Sequence, residues 1–87
     1  MTLKFEKVQS PIYPAYLRVG EYSIALEREL IDSLKEAANN DAPHFLEKLV
    51  QKVGSNRYLK EMIQEGLAKN EDQTALARQL TAELQKL

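Results

Sequence analysis

The sequence predicts a mostly α-helical fold: four short amphipathic helices in one small bundle, preceded by an extended N-terminal arm. Three observations lead there. Apolar residues recur at three- and four-residue steps almost without a break from Glu21 to Leu87. Asn39-Asn40 and Gly54 divide that run at points where helices end readily, while Lys69-Asn70 leaves open whether the last two helices are separate or continuous. The first twenty residues instead alternate in polarity and carry Pro11 and Pro14. The division is therefore an extended arm over 1–20 and a helical domain over 21–87.

Within the arm, Leu3, Phe5 and Val8 suggest a short strand, with Lys4, Glu6 and Lys7 towards water. Ala15 to Val19 forms a second extended piece before Gly20, so the arm can supply a strand or hairpin. The first helix is expected from about Glu21 or Ser23 to Ala38, with Leu26, Leu30, Ile31, Leu34, Ala37 and Ala38 on one face. Asp41 is the expected cap of the second helix, with Pro43 in its first turn and Phe45, Leu46, Leu49, Val50 and Val53 as its stripe. Ser55 is the expected cap of the third, whose stripe is Tyr58, Leu59, Met62, Ile63 and Leu67. Asn70 with Gln73 reads as a capping box for the fourth, with Ala77, Leu80, Leu84 and Leu87 on one side.

Composition narrows the function. Eighty-seven residues make one domain. A domain this small buries only about 60–65% of its unfolded surface, so an oligomer interface would add needed stability. The chain has no Cys, which removes disulfides, thiol nucleophiles and thiolate metal sites. Charges interrupt the first seven residues, and no stretch nears the roughly 20 apolar residues of a membrane helix. The expectation is a cytoplasmic protein without a membrane partner. A net charge of −1, from 12 Lys+Arg against 13 Asp+Glu, supplies no global attraction to nucleic acid.

The sequence offers little chemistry. His44 is the only histidine and could titrate near neutrality, but no nucleophile stands beside it, and a surface or capping role fits it better. Asp32 and Glu36 share a helix face, yet Arg28 and Lys35 are interleaved with Glu27, Asp32 and Glu36. Gly20, Gly54 and Gly66 stand apart, so no loop is rich enough in glycine to cradle a phosphate. No catalytic residue, metal ligand or cofactor is expected.

The segment Leu46 to Ile63 reads helix, Gly-Ser-Asn turn, helix, and it resembles a helix-turn-helix over 45–67. The resemblance implies DNA binding, with Lys48, Lys52, Arg57 and Lys60 on phosphates and Ser55, Asn56 and Arg57 opening a recognition helix. Ser55 departs from that pattern where an apolar residue is usual, and Glu47, Glu61 and Glu65 would repel phosphates. Asn56 to Ile63 is also similar to the second helix of ribbon-helix-helix repressors and antitoxins. The strand that reads the groove in that family has no counterpart in Ala37 to Pro43.

Surfaces for partners form the remaining signal. Tyr13, Tyr16 and Tyr22 crowd the arm and its exit, and tyrosine is enriched at interfaces. Leu80, Leu84 and Leu87 form a stripe that can pack within the chain or against another. The favoured expectation is a non-catalytic interaction or regulatory module that binds a protein partner or its own copy, as a homodimer exchanging the arm or last helix. A DNA-binding regulator or antitoxin-like protein is the alternative.

Overall fold

The computed structural model describes residues 3–87 and shows a small antiparallel sheet packed against four helices. Strands β1 (Leu3–Lys7), β2 (Ala15–Val19) and β3 (Tyr22–Leu26) follow one another across the sheet in chain order. Alternation fixes which side is which. Leu3 and Phe5 of β1, and Ala15, Leu17 and Val19 of β2, are buried on the helix side, whereas Lys4 is exposed. Between β1 and β2, the Val8 N–H donates to the Pro14 carbonyl at 3.1 Å, and Ser10 Oγ accepts from the N–H groups of Ile12 and Tyr13.

The N-terminal residues thus form a sheet rather than only an arm, and the sheet takes in residues expected to be helical. Tyr22, Ile24 and Leu26 lie opposite Val19, Leu17 and Ala15. The joining turn is Gly20-Glu21, with Gly20 at φ 61° and no other of the described residues at positive φ. Glycine in the first central position is what a tight turn of this hand requires. Pairing with β2 places both Ile24 and Leu26 over the core, whereas a helical stripe uses Leu26 alone. The sheet wins on buried surface, and the first helix begins only after Glu27.

Helix α1 (Arg28–Asn40) buries Ile31, Leu34 and Ala38. Asp41 donates its N–H to the Ala37 carbonyl and ends α1, so it does not cap the second helix through its side chain. A single 3-10 turn, Ala42–His44, contains Pro43 and leads into α2 (Phe45–Val53). Phe45, Leu49, Val50 and Val53 are buried there. Asn56, rather than Ser55, caps α3 (Arg57–Ala68), its Oδ1 accepting from the Leu59 N–H at 2.9 Å. Asp72, rather than Asn70, caps α4 (Gln73–Gln85), accepting from the Ala75 N–H at 3.0 Å. Gln73 turns back instead and donates to the carbonyls of Leu67 and Asn70, holding the corner between the two helices. Helices α3 and α4 are therefore separate.

Helix α4 closes one edge of the sheet. Its Leu76, Leu80 and Leu84 enter the core beside Leu3 and Phe5. On the adjoining flank, Glu83 Oε1 accepts the Phe5 N–H at 2.8 Å, and Gln79 Nε2 donates to the Leu3 carbonyl at 3.3 Å. Side chains of α4 thereby satisfy two outward backbone groups of an edge strand that has no neighbouring strand on that side.

Candidate protein-interaction surface

The other edge, β3, is open. In an antiparallel ladder, successive residues direct their backbone groups alternately to either side. Leu3 and Phe5 use theirs outwards on α4, so Arg18 and Tyr16 face β1, and Leu17 and Val19 face β3. Ile24 and Tyr22 answer Leu17 and Val19. The backbone groups of Ser23 and Ala25 consequently point away from the sheet, and both residues are exposed.

An aromatic patch borders this edge. Tyr22 ends on the helix side of the sheet and is 56% exposed, next to Tyr58 at 63%. Tyr58 stands there because Asn56 starts α3 and directs Ile63 and Leu67 to the core. That leaves the Tyr58–Met62 flank, four residues apart, along the rim. Tyr22, Tyr58, Glu61, Met62 and Glu65 line a shallow recess of about 260 Å³. Its two carboxylates are engaged along the helix, Glu61 with Arg57 at 3.0 Å and Glu65 with Lys69 at 3.3 Å. Such exposed pairs contribute little to stability. Two large, stiff, amphipathic rings beside a row of free backbone groups make a surface suited to holding an extended segment.

The residues singled out from the sequence fall into different places. Tyr22 belongs to this surface. Tyr16 is half-buried on the opposite side of the sheet, across from Glu6 and Ala25, and Tyr13 is half-buried in the β1–β2 loop. The three tyrosines therefore share no single patch. Leu80 and Leu84 are both 0% exposed, and Leu87 packs on the same core. Leu80 and Leu84 are thus occupied within the chain, because α4 is the helix that covers β1, whereas Leu87 is only partly buried. Tyr58, placed by its spacing in the apolar stripe of α3, is instead one of the most exposed large side chains. The available signal was that Ile63 and Leu67 complete a stripe without it.

The basic residues proposed for DNA are divided among three surroundings. Lys48 and Lys52 line a cleft with Glu36 and Asp41. Arg57 is bonded to Glu61, and Lys60 borders a groove between α2 and α3 with Glu47, Gln51 and Gln64. Ser55 is exposed, and the Asn56 side chain is engaged in its cap. His44 is exposed, with Nδ1 2.7 Å from Asp41 Oδ1. That hydrogen bond and the charge of Asp41 raise its pKa above the ordinary 6.5. No polar side chain is buried in the core among the described residues. Among the same residues, no helix is long and apolar enough to cross a membrane.

These features define a three-stranded meander backed by four helices, with one covered and one open edge. No protein-family model matches the chain, no curated protein matches its sequence, and no solved structure matches it.

Proposed function

We propose that this protein is a small non-catalytic interaction module that acts by binding protein through the face formed by Tyr22, Tyr58 and Met62 along the open edge of β3. The observation that supports this most is the coincidence of two unsatisfied features at one place. Tyr22 and Tyr58 are exposed, and the adjoining strand has free backbone groups. Isolated apolar side chains at a surface are ordinary, but an aromatic cluster beside an unpaired strand edge is the composition of an interface core. Backbone pairing supplies affinity in such a site, and the flanking side-chain recess supplies selectivity.

The test is capture by immobilised protein from nuclease-treated extract of its source, at low and high salt, followed by titration of the purified partner. Retention is expected at both salts, and Tyr22→Ala or Tyr58→Ala should weaken the purified complex by at least about tenfold. A parallel titration with random duplex DNA should give no binding. Phosphate contacts would lower affinity with a slope of about −0.9 per contact against salt. Salt-sensitive duplex binding lost in Arg57→Ala with Lys60→Ala would overturn the proposal in favour of a DNA-binding regulator.

A further inference from the structure

We infer that the open edge of β3 is occupied by β3 of a second copy, joining two meanders into one six-stranded antiparallel sheet. The inference rests on the protein-binding reading above and names its partner. Three features of the strand carry it.

First, the edge has none of the usual guards against pairing. Tyr22-Ser23-Ile24-Ala25-Leu26 contains no charge, no proline and no bulge, and no helix covers it. The same chain guards its other edge with Glu83 and Gln79. Second, the exposed backbone groups belong to Ser23 and Ala25, so a two-fold pairing has few registers. One centred on Ile24 sets Glu21 against Glu27 of the copy, twice, and like charges opposite one another are unfavourable. One centred on Ala25 sets Ile24 against Leu26, which is already 0% exposed and gains no burial.

Third, the register centred on Ser23 improves every contact. Tyr22 of each copy lies opposite Ile24 of the other, an aromatic and a β-branched residue on the same face of the sheet. Ala25 lies opposite Glu21, so no like charges meet. The two Tyr22 side chains and the two half-covered Ile24 side chains form one apolar cluster across the two-fold axis. Tyr58 and Met62 of each α3 stand beside it. The helices of both copies then lie on one side of a continuous sheet.

Single cysteines read the register directly, because the chain has no native Cys. In the inferred register the two copies of residue 23 face each other about 5.5 Å apart at Cα, within disulfide reach. The two copies of residue 25 are offset by four residues, roughly 13 Å. Under mild oxidation, Ser23→Cys is expected to give a covalent dimer at least about tenfold faster than Ala25→Cys, since only the former pair is within bonding distance. Sedimentation equilibrium of the wild type should show a monomer–dimer equilibrium, and Ser23→Lys, with two ammonium groups at the axis, should shift it to monomer while leaving thermal unfolding of the diluted protein unchanged. Equal crosslinking of the two cysteine variants, or a wild type that stays monomeric at millimolar concentration, would overturn the inference. A monomer that still captures a Tyr58-dependent partner would leave the protein-binding reading standing. A dimer insensitive to Ser23→Lys would place the interface elsewhere.

Discussion

At Gly54 the sequence requires the absence of a side chain for a reason of space. A Cβ there would lie 2.6 Å from the Val50 carbonyl oxygen and 3.0 Å from Lys60 Cα. Both neighbours are backbone, so neither can swing aside. Its φ of −76° is open to any residue, which leaves crowding against the last turn of α2 and against α3 as the requirement. Gly54→Ala is expected to destabilise by about 1–3 kcal/mol, the usual cost of overpacking, measured by urea unfolding. His44 gives a second prediction at this scale. Its pKa is raised by the Asp41 hydrogen bond first and by the charges of Asp41 and Glu47 after it. A folded pKa above 6.5 makes its small contribution to stability complete below pH 6.5, and that contribution is lost as pH rises through the folded value. The NMR titration midpoint of His44 should therefore exceed 6.5 and fall back towards it in Asp41→Asn; an unchanged midpoint would remove Asp41 as the cause.

Among the elements, α4 joins the two layers of the molecule. Leu80 is fully buried in the common core. Leu80→Ala is expected to cost about 2–5 kcal/mol, as large-to-small core substitutions do. Glu83 acts differently, by accepting the Phe5 N–H. Glu83→Ala leaves that partly buried donor unmatched and should cost about 1–3 kcal/mol with faster amide exchange at Phe5, whereas Glu83→Gln keeps a carbonyl acceptor and should recover most of the loss. The helices were legible because α2, α3 and α4 each keep a stripe long enough to repeat. Their starts were less legible: Ser55 and Asn56 are adjacent candidates of the same chemistry, and only the geometry of the turn selects Asn56. Strand β3 was misread because five residues with Leu26 at one end satisfy either period. What decides is the Gly20 turn, which returns the chain onto β2, a contact outside the local pattern.

For the molecule as a whole, the informative difference is between the two edges of one sheet. The sequence placed β1 and β2 as extended, but not which strand would lie at an edge or what would cover it. Glu83 is 78 residues from Phe5, and no local pattern reports such a contact. The candidate site was half legible for the same reason. Tyr22 was marked by its type, while Tyr58 was absorbed into a helical stripe, and their proximity depends on how α3 lies against the sheet. Leu80 and Leu84 carried an interface-like spacing that the chain uses for its own core. The molecule that results covers the β1 edge with its last helix and leaves the β3 edge open beside the exposed Tyr22 and Tyr58.

Amide hydrogen exchange at Ser23, Ala25 and Phe5, followed from micromolar to millimolar protein, compares the two edges in a single measurement. Phe5 should exchange slowly throughout, because Glu83 holds its N–H. Ser23 and Ala25 should exchange rapidly in dilute solution and become protected as concentration rises and the edges pair. Rapid exchange at Ser23 and Ala25 across the whole range, with Phe5 equally unprotected, would contradict both the closed edge and the working one.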